Sequence, residues 1–287
     1  MKITGETNVL GVFGYPVRHT LSPLMQNAAI EALGLNYAYL PFEVKPGDIG
    51  DAVRGIRSLG IAGVNVTVPH KEAVIPFLDE LTDEAEKIGA VNTIENRNGR
   101  LIGHNTDSLG YVMSLREDAG FEPKNKTIIV IGAGGAAMGI ITGLLSNDAG
   151  EIVIANRTVE KAEKIKANYT KKNKDGNIRI ITAPLSCLKD PKILSSVDLI
   201  INTTSMGLEG MAPDVDFTST RPQVLISDIS YKPAVTKFLK NAQDADRRTI
   251  GGLGMLVYQG ALSFETWTSH KAPVDVMKKA LLKATSN

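Results

Sequence analysis

A lysine and an aspartate in two separate polar motifs are of the residue types that proton transfer requires. Lys71 ends the motif Asn65-Val-Thr-Val-Pro-His-Lys71, and Asp107 ends Asn105-Thr-Asp107. When a hydride reaches a ketone carbon, the oxygen becomes an alkoxide, which a nearby ammonium group can stabilise and protonate. An aspartate would orient that lysine and favour its charged form. The two would titrate as a coupled pair, so the sequence does not decide which is the formal acid. On spacing alone, a surface lysine and a helix-capping aspartate are the simpler interpretation.

A glycine-rich segment has the spacing of a dinucleotide-binding turn. Gly132-Ala-Gly-Gly-Ala-Ala137 follows a β-forming run at residues 127–131 and opens an apolar helix pattern, as the motif G-x-G-x-x-A requires. Glycine lets the backbone approach a pyrophosphate, whose charge then interacts with N–H groups at the helix N-terminus. The alternative is a tight turn that binds nothing. We predict that the cofactor contacts here are Gly132, Ala133, Gly134, Gly135 and Ala136.

The next predicted strand ends in basic residues. A NAD-binding domain places an acid about 20 residues after the glycines, where it bonds the ribose 2′-hydroxyl. Here Asn156-Arg-Thr158 stands at the strand end instead, and Lys161 follows one turn later. Arg157 can bind a 2′-phosphate in bidentate fashion. The sequence therefore favours NADP over NAD, the alternative being a solvated helix start with ordinary surface charges.

Two groups of alternating strands and helices would position these motifs. In the first, a helix begins at Ser22-Pro23 and ends at Gly34, since a serine cap and a proline at the first helical position start helices and glycine ends them. Further helices are predicted over residues 48–59, 70–79 and 106–119. Strands are predicted over residues 9–13, 37–44, 61–68, 91–95 and 101–104, the last two flanking a turn at 96–99.

The second group begins after the polar segment 122–126 and has the pattern of parallel βαβ units. Its strands are predicted over residues 128–131, 152–155, 178–181, 199–202 and 224–228, and the pattern past Gly254 is helical. The fold class that we predict is α/β, with two α/β domains. Residues 1–107 plus 253–287 would form the N-terminal substrate-binding and catalytic domain, to which the C-terminal helices return, and residues 108–252 a Rossmann-type NADP-binding domain.

The composition excludes several classes of protein. The 32 basic and 31 acidic residues nearly cancel, so no overall field recruits nucleic acid or an anionic membrane. An uncharged stretch at residues 127–147 could span a bilayer by length, but its glycines favour a strand, a turn and a buried helix. The single cysteine, Cys187, and the lack of an apolar N-terminal stretch indicate a reducing cytoplasm. The four histidines lack metal-ligand spacing, so no metal is expected.

Eight motifs together resemble the shikimate dehydrogenase family, and they occur in family order over nearly the whole chain. They are Gly14-Tyr-Pro-Val-Arg-His-Thr-Leu-Ser-Pro23, Asn65-Val-Thr-Val-Pro-His-Lys71, Gly89-Ala-Val-Asn-Thr93, Gly103-His-Asn-Thr-Asp107, the glycine turn at Gly132, Asn156-Arg-Thr158, Asn202-Thr-Thr-Ser-Met-Gly207 and Gly252-Leu-Gly-Met-Leu-Val-Tyr-Gln259. The resemblance implies NADPH-dependent, reversible reduction of 3-dehydroshikimate to shikimate, in the pathway to aromatic amino acids, with no metal.

The resemblance also implies residue roles. Lys71 and Asp107 would be the catalytic pair. Substrate contacts would come from Thr20, Ser22, Thr67, Lys71, Asn92, Asp107, Tyr231 and Gln259. Cofactor contacts beyond the glycine turn would come from Asn156, Arg157, Thr158, Lys161, Thr203, Met206, Ile229, Gly252 and Met255. Amide and hydroxyl side chains both donate and accept, which suits a small polyol acid.

One residue that differs from the family's usual motif affects the expected substrate specificity. Thr20 stands where many members of the family have serine, which keeps the hydroxyl and adds a methyl group. A quinate/shikimate dehydrogenase with broader substrate use is therefore one alternative. A sensor that binds NADP and a shikimate-like acid without turnover is another, although the balanced charge argues against a DNA-binding regulator. The expected partner is a small-molecule substrate, not nucleic acid or membrane, and the chain would be a monomer or homodimer.

Overall fold

In a computed structural model, which describes residues 2–172, 179–207 and 210–285, the chain forms two compact units. The first consists of Met1–Gly110 with Val257–Asn287, and the second of Tyr111–Leu256. The chain therefore leaves the first unit once and returns to it once.

The first unit is built on a mixed six-stranded sheet. Its strands in chain order are β1 Asn8–Gly14, β2 Tyr37–Glu43, β3 Gly63–Val66, β4 Glu80–Leu81, β5 Thr93–Arg97 and β6 Arg100–His104, and they are arranged β2-β1-β3-β5-β6-β4. Strands β1, β2 and β3 are parallel, whereas β5 is antiparallel to both β3 and β6. Strands β3 and β6 therefore run in the same direction, and their carboxyl ends lie at one edge of the sheet.

Four helices follow strands of this sheet: α1 Ser22–Ala32, α2 Ile49–Ser58, α3 Asp83–Ile88 and α4 Asp107–Ala119. Helix α1 has proline in its first turn as predicted, but Leu21 and not Ser22 is the N-cap, and no side chain caps the helix. Helix α2 buries Val53 and Ile56 on one face, where they pack with Val64 of β3 and Ile94 of β5 in the core of the unit.

The second unit is built on a six-stranded sheet in which all neighbouring strands are parallel. Its strands are β7 Thr127–Ile131, β8 Glu151–Ala155, β9 Arg179–Ala183, β10 Leu199–Asn202, β11 Leu225–Asp228 and β12 Arg248–Ile250, in the order β12-β11-β10-β7-β8-β9. Its helices are α5 Gly135–Leu145, α6 Val159–Lys172, α7 Pro191–Leu194 and α8 Lys237–Asp244. This is the doubly wound order of dinucleotide-binding domains, and the Rossmann prediction is confirmed.

The last two helices are α9 Leu253–Thr268 and α10 Val274–Thr285. The chain from Val257 onward belongs to the first unit, which confirms the predicted return of the C-terminal helices. There, the indole nitrogen of Trp267 donates to the carbonyl oxygen of Ile94 at 2.9 Å. Helix α9 is thereby attached directly to the backbone of the first sheet.

Two details of the predicted elements were right. The β5–β6 hairpin has a two-residue turn with positive φ at Asn98 and Gly99, the residue types that such a turn favours. The uncharged stretch 127–147 divides into strand β7 and the buried helix α5, as expected. None of the helices in the described ranges has the length and apolar character needed to cross a membrane.

Other predicted elements were wrong. Residues 70–79 do not form a helix but a series of turns with a short 3₁₀ segment, Ile75–Phe77, because Pro76 cannot donate a helical hydrogen bond. The short strands β4 and β12 and helix α3 were not predicted. In the predicted strand 178–181, residue 178 lies outside the described residues, and the observed strand is β9.

Candidate active site

The predicted proton-transfer pair is in contact. The ammonium nitrogen Nζ of Lys71 donates to Oδ2 of Asp107 at 2.6 Å, and the two side chains are 32% and 17% exposed. Lys71 lies in the turns after β3, where its carbonyl oxygen accepts from the N–H of Val91. Asp107 is the first residue of α4, where the helix dipole favours a negative charge. The pair can therefore hold a proton at a partly solvent-accessible position.

Asn92 and Gln259 lie next to one another and are both buried. The amide oxygen of Asn92 accepts from the backbone N–H of Thr106 at 2.8 Å, and its nitrogen donates to Thr106 Oγ1 at 2.9 Å. The same nitrogen lies 3.4 Å from Oε1 of Gln259. Because Asn105 and Thr106 immediately precede Asp107, these contacts connect both predicted amides to the segment that carries the carboxylate.

Two hydroxyls at the start of α1 form a further pair. Thr20 Oγ1 donates to Ser22 Oγ at 3.2 Å, and Ser22 in turn hydrogen-bonds the hydroxyl of Tyr39. Complete burial raises the pKa of Tyr39 well above its usual value, so its hydroxyl keeps its proton. Thr67, directly after β3, donates its N–H to the carbonyl oxygen of Phe13. The structure thus places the predicted substrate residues of the first unit around one sheet edge.

A buried polar network connects Tyr39 to Asn92, and its members other than Asn92 were not predicted as site residues. Tyr39 donates to Asn65 Oδ1 at 2.7 Å, and Asn65 Nδ2 donates to Ser263 Oγ at 3.0 Å. Ser263 Oγ also lies 2.7 Å from Thr93 Oγ1, which donates to Asn92 Oδ1 at 3.0 Å. The sequence signal was that Asn65 and Thr93 each stand in one of the motifs given above, Asn65-Val-Thr-Val-Pro-His-Lys71 and Gly89-Ala-Val-Asn-Thr93.

The glycine turn of the second unit has the geometry that its motif requires. Gly132 has a φ of 113°, and a Cβ atom there would lie 2.6 Å from Oγ1 of Thr203. Ala133 is half-buried, while Gly134, Gly135 and Ala136 at the start of α5 are exposed. The first N–H groups of a helix have no intrahelical partner, so this terminus can bind an anion.

The segment after β8 carries two exposed cations. Arg157 and Lys161 are exposed, and neither makes an ion pair with any residue in the described ranges. Asn156 donates from its side chain to the carbonyl oxygen of Thr158 at 2.8 Å, which shapes the turn before α6. This turn follows the strand next to β7, the place at which the 2′-phosphate was predicted to bind.

The loops after β10 and β11 contact the glycine turn and one another. Thr203 donates twice to the carbonyl oxygen of Ile131, at 2.9 Å from N and 2.7 Å from Oγ1. The N–H of Ile229 donates to the carbonyl oxygen of Asn202, and a Cβ atom at Gly252 would lie 1.9 Å from the carbonyl oxygen of Ile229. The predicted cofactor residues Thr203, Ile229 and Gly252 therefore belong to one continuous series of contacts that begins at the glycine turn.

The remaining predicted residues of this unit are half-buried. Met206 is half-buried in the loop after β10, and Met255 packs on the edge of the core cluster that also contacts Ile229. Tyr231 is half-buried, and burial raises its pKa. It belongs to the second unit, whereas the other predicted substrate residues belong to the first.

Two residues left out of the predicted chemistry have structural roles. His70 is buried, and its Nε2 lies 2.7 Å from the carbonyl oxygen of Val44, which attaches the Lys71 segment to the end of β2. Cys187 is 6% exposed, and burial raises its pKa to about 11, as expected for an inert thiol.

A Rossmann sheet with a glycine turn and an exposed arginine after its second strand, together with a separate unit that holds a Lys–Asp pair, defines a dinucleotide-dependent oxidoreductase. Three family models match the chain. They are the shikimate dehydrogenase substrate binding domain over residues 12–94, the shikimate / quinate 5-dehydrogenase over residues 115–253 and the shikimate 5′-dehydrogenase C-terminal domain over residues 252–282. The chain belongs to the shikimate dehydrogenase family.

Individual relatives of the chain support the same family. The chain is 49% identical to the shikimate dehydrogenase (NADP(+)) of Geobacillus kaustophilus over 278 residues, which cover 96% of this chain and 98% of that one. The shikimate 5-dehydrogenase of Listeria monocytogenes, solved with shikimate and NAD, is 36% identical with a TM-score of 0.91 and 98% coverage of both chains. The shikimate 5-dehydrogenase of Thermus thermophilus, solved with NADP(H) and shikimate, is 31% identical with a TM-score of 0.85, covering 97% of this chain and 100% of that one.

Proposed function

We propose that this protein reduces 3-dehydroshikimate to shikimate, reversibly, with NADPH as the reductant. The observation that carries the proposal is the 2.6 Å contact between Lys71 and Asp107 in a chain of this family. The chemistry adds a hydride to the ketone carbon and a proton to its oxygen, so the protein must supply a proton next to the substrate.

The residues of the second unit fit NADP. The left-handed turn at Gly132 admits no side chain, the exposed start of α5 offers N–H groups to a pyrophosphate, and Arg157 is a cation without an ion pair in the described ranges. When bound, NADPH supplies the hydride. Residues 108–252 would be the NADP-binding domain, since all but one of the predicted cofactor contacts fall in this range; the exception is Met255.

A domain of residues 1–107 and 253–287 would bind the substrate, and its bounds differ from those of the first unit by three residues at 108–110 and four at 253–256. Lys71 would donate the proton to the carbonyl oxygen, and Asp107 would orient the ammonium group through the 2.6 Å contact. Thr20 and Ser22 would bind the carboxylate, because neighbouring hydroxyls can both donate to an anion. Thr67, Asn92, Asp107 and Gln259 would bind the ring hydroxyls, and Tyr231 would add a further contact.

We also propose a cytoplasmic location and a monomeric or homodimeric state. The location is supported by Cys187, the single cysteine, which is buried and free. A reducing compartment suits such a protein because it needs no disulfide. Size-exclusion chromatography with light scattering would determine the number of chains.

An absorbance assay at the NADPH band tests the function. Oxidation of NADPH is expected when 3-dehydroshikimate is added and not without it. Binding of NADP and shikimate with no turnover would instead support a sensor. Quinate should be compared with shikimate as the substrate of the reverse reaction, because Thr20 adds a methyl group beside the hydroxyl that would bind the carboxylate. Equal kcat/KM for the two acids would favour a quinate/shikimate dehydrogenase.

A further inference from the structure

The second unit contains a buried carboxylate that the proposed reaction does not use. Asp228, the last residue of β11, is 0% exposed. Its Oδ2 accepts from Asn202 Nδ2 at 3.0 Å and from Thr236 Oγ1 at 2.8 Å, and its Oδ1 accepts from the N–H of Ser230 at 2.9 Å. No Lys, Arg or His within the described parts of the chain forms an ion pair with it.

Burying a carboxylate without a cation is costly unless hydrogen bonds replace its water. Here three donors from three different segments do so. A carboxylate accepts at both oxygens, whereas an amide of the same shape accepts at only one and donates at the other. An amide at this position would therefore turn an N–H group toward either Ser230 or the pair Asn202 and Thr236, all of which present hydrogens to Asp228.

The segments that meet at Asp228 are those that carry predicted cofactor contacts. Asn202 immediately precedes Thr203 in the loop after β10. Ser230 lies between Ile229 and Tyr231 in the loop after β11. A Cβ atom at Gly207, the far end of the β10 loop, would lie 3.1 Å from Asp228 Oδ2 and 2.9 Å from Ser230 Oγ.

The third segment is the start of α8. Thr236 precedes this helix and caps it, accepting from the N–H of Leu239 at 3.3 Å while it donates to Asp228. Asp228 is thus the common acceptor for two loops and one helix start.

We propose that Asp228 is a positioning residue for the part of the cofactor site formed by the loops after β10 and β11, which are on the opposite side of β7 from the Arg157 turn after β8. It holds the loop at Thr203–Met206 and the loop at Ile229–Tyr231 in one relative arrangement, through Asn202 and Ser230. The inference rests on the proposed use of NADP. It assigns no contact between Asp228 and the cofactor itself.

The test compares two ligands on one variant. Asp228→Asn should raise the dissociation constant for NADP⁺ about tenfold or more, as expected for loss of a hydrogen bond to a buried charged group. Binding of adenosine 2′,5′-bisphosphate, which carries only the end of the cofactor that Arg157 would contact, should change by less than about twofold. If the variant weakened the binding of both ligands equally, or the binding of neither, the proposal would be overturned.

A rescue variant guards against simple misfolding. Exchanging the two groups, Asn202→Asp with Asp228→Asn, restores one carboxylate to the pair. The new acid at position 202 can still accept from Thr204 N and Oγ1, which now donate to the Asn202 amide oxygen at 3.1 and 2.7 Å. The double variant should recover most of the NADP⁺ affinity. Affinity no better than that of the single variant would contradict the positioning role.

Asp216→Asn is the matched control. Asp216 lies in the same unit and also accepts from three donors, namely Thr218 N, Thr218 Oγ1 and Ser219 Oγ. None of these donors belongs to a loop with predicted cofactor contacts. NADP⁺ affinity should stay unchanged in this variant, and a comparable loss there would overturn the proposal. Failure of the unmodified protein to bind NADP⁺ would instead contradict the proposed function, and this inference would fall with it.

Discussion

Lys71 Nζ and Asp107 Oδ2 are 2.6 Å apart although their strands are not neighbours in the sheet. Lys71 follows β3 and Asp107 follows β6, and β5 lies between the two strands. Because β5 runs antiparallel to both, the carboxyl ends of β3 and β6 reach the same edge. A single β-hairpin therefore brings the proposed acid and its partner together.

Removing the lysine side chain should abolish most turnover. Lys71→Ala is expected to lower kcat by about 10²- to 10⁴-fold, the usual contribution of a general acid or base. Shikimate binding, measured by calorimetry, should weaken much less. Lys279→Ala, an exposed lysine on α10, is the control and should keep its activity. A kcat near that of the unmodified protein would show that Lys71 is not the proton donor.

Arg157 should decide the choice of cofactor. Arg157→Ala is expected to weaken NADP⁺ binding by about 10- to 150-fold, since a charged hydrogen bond contributes about 1.5–3 kcal/mol. NAD⁺ lacks the 2′-phosphate, so its binding should hardly change. Lys164→Ala, an exposed lysine on α6, serves as the control. If the unmodified protein used NAD⁺ and NADP⁺ with equal kcat/KM, the argument for the 2′-phosphate would be wrong.

Two glycines that follow β7 should respond in opposite ways to alanine. Gly132→Ala forces a side chain into a φ of 113° and to within 2.6 Å of Thr203 Oγ1, so we expect about 1–3 kcal/mol of destabilisation and loss of NADP⁺ binding. Gly139→Ala, inside α5, meets no atom within 4 Å and should stabilise the fold by up to about 1 kcal/mol. Urea unfolding measures both. Similar stability changes in the two variants would contradict the structure of the turn.

The buried thiol should give an alkaline pH dependence of stability. Burial raises the pKa of Cys187 from 9.0 to about 11, so the unfolded chain loses this proton first as the pH rises. The free energy of unfolding therefore contains a contribution that is complete below pH 9 and is lost toward about pH 11. Cys187→Ala should lose less stability across this interval in urea titrations. In the native protein at pH 8, a thiol reagent should react only slowly, and rapid labelling would be inconsistent with the burial.

The order of the elements could be read largely from sequence because several boundaries carry strong local signals. Ser22-Pro23 starts a helix, Asn98-Gly99 makes a hairpin turn, and the run before Gly132 is strongly β-forming. The helix predicted over residues 70–79 was wrong because Pro76 was not taken into account. Strands β4 and β12 are too short, at two and three residues, to produce a periodic pattern.

The motifs located the candidate site but not what supports it. Lys71, Asp107 and Arg157 lie in motifs with recognisable spacing. Ser263 and Asp228 lie in none of those motifs. Their roles depend on partners in other segments of the chain, such as Asn65, 198 residues from Ser263, and Asn202, 26 residues from Asp228. Hydrogen bonds of that kind arise from tertiary packing, on which local sequence carries no information.

The return of α9 to the first sheet also affects the order of folding during synthesis. Buried polar groups made early, such as the side chain of Asn65 and the carbonyl oxygen of Ile94, find partners on Ser263 and Trp267, which are made near the end. The second unit, by contrast, lies in one uninterrupted stretch of chain. On the ribosome the second unit can therefore complete its core first. The strands of the first unit are synthesised earlier, but their core is complete only after α9 and α10 have emerged.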